Sequence, residues 1–348
     1  MTPPLDDLGG WPGILAQLTA NHDLTAEQTE AVLEAVLDGE ASDAQIAAFI
    51  VGLRQKGETV DELAGLVRAM QAAATPLTMP ADAIDIVGMG GAAVRRRAAL
   101  NVSTMASFVA AAAGAIVCKH GNRKASSTSG SFDLLEAIGV RFELDARELE
   151  ACVAETGLGF AFARVFHPAM RHVGRVRMEL GIPTVFNALG PLSHPAGLTH
   201  QVIGVADEVL ADKMAAVLRS TGSIHALVVT GHGPLDELST TGPSRIRELC
   251  GDSIVVSDLD PIDLGIRVPS EGDLDGGDAA ANKAIMERIF SGERSAARDI
   301  VALNAAAGLV VADVAVDLAD GLARSVEAME SGAAASKVRD LVEFTNGL

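Results

Sequence analysis

The first fifth of the chain is written in a period of three to four. Val32, Leu33, Val36 and Leu37 recur at helical spacing behind Thr25 and Gln28. Ile46, Phe49, Ile50 and Leu53 do so behind Ser42 and Gln45, and Leu63, Leu66, Val67 and Met70 behind Thr59 and Glu62. A hydroxyl three residues ahead of Gln or Glu is a capping box: each side chain takes a backbone amide that the first turn leaves open. The pattern predicts three capped amphipathic helices with short turns. Thr75-Pro76 to Pro80 breaks it and reads as a crossing into a second domain.

Short apolar runs then alternate with helical ones. Residues 83–88, 114–119, 201–205, 224–230 and 254–256 read as strands, and residues 102–113, 132–138, 145–155 and 211–219 as helices. Such alternation predicts an α/β domain with parallel strands in addition to the small helical unit. Residues 258–278, rich in Gly and Asp, read as a long surface loop.

Composition narrows the class. A 348-residue chain that is 49% hydrophobic can build more than one core, so wholesale disorder is excluded. Aromatic residues are only 3%, so that core is aliphatic and Ala-rich. The net charge of −19 argues against duplex DNA as a partner, because phosphate affinity needs clustered Lys and Arg. Residues 102–117 are too short and Ala-heavy for a membrane span. The start, Met1-Thr2-Pro3-Pro4 and then Asp6 and Asp7, lacks the basic and apolar regions of a secretory leader. Cys118, Cys152 and Cys250 are scattered without metal or disulfide spacing, so a cytoplasmic location is expected.

Against that acidic background, residues 86–132 hold no Asp or Glu but carry Arg95, Arg96, Arg97, Lys119, Arg123 and Lys124. Residues 156–178 repeat the anomaly with Arg164, Arg171, Arg175 and Arg177. Together they point to a local anion site, although either stretch alone is equally well a solvated face. Gly88-Met89-Gly90-Gly91 follows a strand, and Asn101, Ser103 and Thr104 stand where the next helix begins. Open amides at a helix start suit phosphate or pyrophosphate. The loop is neither a P-loop nor a dinucleotide fingerprint. Lys119-His120-Gly121-Asn122-Arg123 follows the next strand, with Ser126, Ser127, Ser129 and Ser131 behind it. Ligands of open α/β sheets bind at such carboxyl ends. Asp236-Glu237, after another predicted strand, offers the oxygen donors that Mg²⁺ prefers.

Longer motifs in fixed order make the chain resemble the anthranilate phosphoribosyltransferase family over nearly its whole length. They are Gly39-Glu40 with Gln45–Phe49 and Arg54–Glu58; Lys119–Arg123 with Ser126-Ser127; Phe166-His167-Pro168-Ala169-Met170; and Phe186-Asn187-Ala188-Leu189-Gly190-Pro191-Leu192. Leu235-Asp236-Glu237-Leu238, Gly276-Gly277-Asp278-Ala279 and Leu303-Asn304-Ala305-Ala306-Ala307 complete the set. The resemblance implies a small all-helical domain over residues 1–79, with a returning segment near 171–193, hinged to a large α/β domain with a mostly parallel central sheet. The α/β domain would then hold residues 80–170 and 194–348, in a homodimer formed through the helical parts. It implies phosphoribosyl pyrophosphate as donor, Mg²⁺ as cofactor and anthranilate as acceptor, in tryptophan biosynthesis. Gly88, Gly90, Gly91, Asn101, Ser103, Thr104, Lys119 and Ser131 would surround the donor. Ser103, Asp236 and Glu237 would hold the metal, and His120, Asn122, His167 and Arg177 would face the acceptor. The Arg177 fork suits the acceptor's carboxylate.

The chain also departs from the family. The family's donor loop reads Gly-Thr-Gly-Gly-Asp-Gly; here Met89, Ala92 and Ala93 stand in it, followed by an apparent three-residue insert with Arg95-Arg96-Arg97. Arg164 stands where relatives often carry Pro. Three readings stay open on this basis: the family's own activity without an assigned acid or base, a related phosphoribosyltransferase with another acceptor, and a non-catalytic ligand- or nucleic-acid-binding relative.

Overall fold

The protein is described from a computed structural model covering residues 3–90, 99–123, 128–270 and 272–348. Four helices come first: α1 (Gly10–Thr19), α2 (Ala26–Leu37), α3 (Asp43–Lys56) and α4 (Val60–Ala72). All three predicted capping boxes form, at Thr25, Ser42 and Thr59. Glu62 closes the last of them and also accepts the Leu24 N–H at 2.8 Å and the Lys56 ammonium at 2.8 Å, which ties α4 to its neighbours.

The chain continues as β1 (Ile84–Gly88), α5 (Val102–Ala112), β2 (Val117–Gly121), α6 (Ser131–Ala137), α7 (Ala146–Thr156) and β3 (Leu158–Phe162). A short turn of helix, α8 (Ala163–Phe166), leads to α9 (Arg171–Leu180) and α10 (Val185–Leu192). Then come β4 (His200–Gly204), α11 (Glu208–Ser220), β5 (His225–Thr230), β6 (Ser244–Cys250) and β7 (Ser253–Leu259). Helices α12 (Ala279–Phe290), α13 (Ala296–Val311), α14 (Leu318–Glu330) and α15 (Ala333–Gly347) finish the chain.

The seven strands form one sheet in the order β3-β2-β1-β4-β5-β6-β7. Strands β1 to β5 pair in parallel; β6 and β7 are antiparallel. Strand β2 starts later than the apolar run suggests. Gly114 turns the chain at φ +109° and the Ala115 N–H still bonds back to Ala110, so the turn that closes α5 runs to Ala115 and the strand begins at Val117. The sheet buries both faces by alternation. Ile84, Ile86, Val202, Leu227 and Val229 join a core with α5, α12 and α13. Ile203, Val205, Ala226 and Val228 join the other, with α11, α2 to α4, α9 and α10. The molecule is thus a small N-terminal helical domain set on a large α/β domain with a mostly parallel sheet. Strand numbering reverses between β1 and β4, the place where such sheets open a crevice at their carboxyl ends.

Candidate active site

The turn after β1 is held from beneath. Gly90 lies at φ +72°, a conformation that side chains resist, and its N–H donates to Oδ2 of Asp236 at 2.7 Å. The Met89 N–H donates to the Gly204 carbonyl at 2.9 Å. A Cβ on Gly88 would stand 2.8 Å from the Asp236 carboxylate, and one on Gly204 only 1.7 Å from its carbonyl oxygen. These two glycines let the Asp236-Glu237 loop descend onto the ends of β1 and β4. The buried Asn304 of α13 fixes its far side: Leu238 N–H donates to Oδ1 at 2.9 Å and Nδ2 donates to the Leu238 carbonyl at 2.9 Å. Gly91 lies outside the described residues, as do Ala92, Ala93, Arg95, Arg96, Arg97, Lys124, Ser126 and Ser127.

The start of α5 is clamped in the same way. The Asn101 N–H donates to Oδ1 of Asn282 at 2.8 Å, and Asn282 Nδ2 donates to the Ala99 carbonyl at 2.8 Å. The Asn101 side chain accepts from the Ser129 hydroxyl at 2.7 Å. A Cβ on Gly276 would fall 2.2 Å from the Ala99 oxygen. Ser103 and Thr104 occupy the first turn of α5, half-buried and buried respectively. Beyond β2, the exposed Asn122 accepts the Arg123 N–H, and a Cβ on Gly121 would meet the Ser131 hydroxyl at 2.7 Å.

Three histidines cluster behind this rim. The His120 ring centre is 5.2 Å from that of His167 and 5.8 Å from that of His194. His120 Nδ1 lies 3.2 Å from the Gly190 carbonyl on α10, so this nitrogen carries the proton and donates. His194 accepts the Ala196 N–H on Nδ1 and donates from Nε2 to the Cys118 carbonyl at 2.9 Å. Burial pushes the His167 imidazole down to about 4 and that of His194 to about 3, and holds His120 well below the ordinary range. All three are neutral near pH 7. The Nε2 atoms of His120 and His167 are buried without a hydrogen-bond partner.

Only some of the basic residues remain available. Arg123 is forked onto Glu136 at 2.7 and 2.9 Å, and Arg175 pairs with Asp43. Neither is an open cation: Glu136 lies just past the first acid-free window, and Asp43 comes from α3. Arg177 differs. It stacks over Phe186 of α10, with Cζ 5.5 Å from the ring centre, and has no ion pair among the described residues.

Lys119 is buried on β2, where Nζ donates to the Ile86 carbonyl of β1 at 2.7 Å. Burial pulls its amine down while Asp85 and Glu237 push it back up. Asp85, mid-strand on β1 and buried, has its carboxyl pushed up to about 7 by burial, against Lys119 and backbone amides that pull it down. Sequence reasoning passed over Asp85 and His194. A charged residue inside a five-residue apolar strand was the one signal for Asp85; the Ser193-His194-Pro195 turn carries no comparable one.

Glycine-dependent loops, a carboxylate pair, a buried lysine and a neutral imidazole cluster thus meet at the carboxyl ends of β1, β2 and β5. Known proteins resemble the chain in sequence and fold. Residues 80–335 match the glycosyl transferase family, a/b domain, and residues 12–74 its helical bundle domain. The anthranilate phosphoribosyltransferase of Roseiflexus sp. (strain RS-1) is 47% identical over 335 residues, covering 96% of this chain and 97% of the relative. That of Arthrobacter sp. (strain FB24) is 47% identical over 343 residues, covering 97% and 96%. The crystal structure of the Thermus thermophilus enzyme superposes with a TM-score of 0.89 at 40% identity, covering 96% of this chain and 99% of that one. The Saccharomyces cerevisiae enzyme in complex with PRPP and Mg shares the fold at 24% identity, with a TM-score of 0.86 and coverage of 96% and 97%. With relatives this similar along nearly its whole length, the chain belongs to the anthranilate phosphoribosyltransferase family.

Proposed function

We propose that the protein transfers the phosphoribosyl group of phosphoribosyl pyrophosphate to the amine of anthranilate, releasing pyrophosphate, as a step of tryptophan biosynthesis. The observation that carries this reading is the pairing of a donor-type rim, Gly88–Gly90 with Asp236-Glu237, with a buried neutral imidazole pair beside it. Gly88, Gly90, Gly91, Asn101, Ser103, Thr104, Lys119 and Ser131 surround the donor. Asp236, Glu237 and Ser103 suit Mg²⁺ by their donor set, all hard oxygen, with one Glu237 carboxylate oxygen buried at the site. When bound, that ion offsets the charge gathering on the leaving pyrophosphate. Lys119 and the open amides in the first turn of α5 act on the same charge.

Cleavage at the ribose C1′ leaves an oxocarbenium-like centre, and the arylamine is already a neutral nucleophile. The protein's task is to place that amine and keep water away. Arg177 takes the anthranilate carboxylate, and Asn122 closes the same side. His120 and His167 offer bare Nε2 lone pairs, which accept hydrogen bonds from an amine. No residue is assigned as acid or base. The unpaired cysteines, two of them buried, support a cytoplasmic location, and no helix among the described residues is long and apolar enough to cross a membrane. The test is pyrophosphate release with anthranilate and a panel of other arylamines. Release with anthranilate supports the reading; release only with another arylamine moves the chain to a different acceptor.

A further inference from the structure

Strands β1 and β2 pair at Ile84–Val117, and the Ile84 N–H donates to the Ile116 carbonyl. Continued in that register, a parallel ladder would next join Ile86 N–H to the Cys118 carbonyl and His120 N–H to the Ile86 carbonyl. Neither rung forms. The Cys118 carbonyl accepts from His194 Nε2 at 2.9 Å, the Ile86 carbonyl from Lys119 Nζ at 2.7 Å, and the His120 N–H donates to Asp85 Oδ1 at 3.2 Å. Three side chains therefore occupy the hydrogen-bonding positions of a split ladder. Open backbone groups inside a sheet would otherwise be costly. On their other sides, β2 keeps five aligned pairs with β3 and β1 keeps five with β4, so the split is confined to the β1–β2 seam.

We propose that Asp85, Lys119 and His194 form a splint that holds the ends of β1 and β2 apart, and that Asp85 is the positioning residue within it. Asp85 touches no substrate. It fixes the His120 backbone and sets a negative charge beside Lys119, so that Lys119 reaches across the seam toward the donor's diphosphate and the His120 ring turns to the acceptor side. This role rests on the donor and acceptor assignments made above.

Two substitutions separate its two actions. Asp85→Asn keeps an oxygen for the His120 N–H and removes the charge; Asp85→Val removes both and lets the seam zip. Binding of inorganic pyrophosphate with Mg²⁺, measured by calorimetry at about pH 8, is expected to weaken about tenfold or more in Asp85→Asn, while the KM for anthranilate moves less than about twofold. In Asp85→Val both are expected to rise. Pyrophosphate affinity in a folded Asp85→Asn protein within about twofold of wild type overturns the proposal, as does an equal shift in both substrates. If Asp85→Asn does not fold, the double variant with Lys119→Gln is expected to restore folding, since it removes the uncompensated buried charge; failure to do so also overturns it. Wild-type protein that releases no pyrophosphate with anthranilate would instead refute the activity, while its affinity for pyrophosphate would still test the splint.

Discussion

Arg177 is largely withdrawn from water, and burial lowers the pKa of its guanidinium from the ordinary value. Its Cζ lies over the Phe186 ring, and the guanidinium has no ion pair among the described residues, which leaves its donors for a ligand's carboxylate. Losing a hydrogen bond to a charged group costs about 1.5–3 kcal/mol, so Arg177→Ala should raise the KM for anthranilate by roughly 10- to 100-fold and leave that for the donor nearly unchanged. Arg177→Lys should recover little, because an ammonium neither forks nor stacks. Steady-state kinetics with each substrate varied in turn decides this, and equal shifts would remove Arg177 from the acceptor site. The histidines make a second prediction at this scale. Their folded pKa values are depressed, to about 4 for His167 and about 3 for His194, with His120 also well below normal. Below about pH 6.5 the unfolded chain binds protons that the folded one refuses, so these groups cost stability as pH falls. Asp85 works the other way, since its carboxyl is raised to about 7 and the folded state takes up its proton first. Three imidazoles against one carboxyl leave a net loss on the order of 3 kcal/mol between pH 7 and 5 for these four groups. A higher urea midpoint at pH 5 than at pH 7 would show that the imidazoles are not buried neutral.

At the level of elements, the parts that could be read were those whose chemistry is local. The capping boxes at Thr25, Ser42 and Thr59 sit within four residues of the helix they start, and all three form. Strand β3 could not be read that way: Leu158-Gly159-Phe160-Ala161-Phe162 is buried at every position, so no alternation marks it. Strand β6 looks too charged, but Arg247 is buried because Asp212 on α11 and the Thr230 hydroxyl receive it from distant parts of the chain. The same distinction applies to the site. The glycine turn and the Asp236-Glu237 pair carry a chemical signature in sequence, whereas His194 acts by occupying a backbone position of another strand. Asn304 shows how a motif without chemistry of its own supports the site. It holds Leu238 by both backbone groups, next to the carboxylates. Asn304→Ala would leave two buried backbone groups open, at about 1–3 kcal/mol each. A lower melting temperature is expected together with weaker Mg²⁺ binding by titration. Reduced stability with unchanged Mg²⁺ affinity would confine Asn304 to the core.

For the whole molecule, the sheet order explains why residues far apart in sequence share one site. The β1–β4 reversal and the β1–β2 seam open at the same end, and α9 and α10 cross to the helical side while carrying Arg177, Phe186 and Gly190. That helical side also leaves apolar surface outside. Met178 is 79% exposed at the end of α9, with Ile182 just beyond it, and Val51 lies open on α3, which packs against α9. A chain of net charge −19 repels its own copies, so association through this face would have to come from apolar contact, with salt strengthening it by screening. A homodimer formed there predicts a wild-type protein that sediments at twice the chain mass and dissociates less readily as salt rises. Met178→Lys combined with Val51→Lys should sediment as a monomer with an unchanged melting profile at the α/β core, since neither side chain reaches it. If wild type sediments at one chain mass at every salt concentration, or the double variant stays dimeric, the interface lies elsewhere or does not exist.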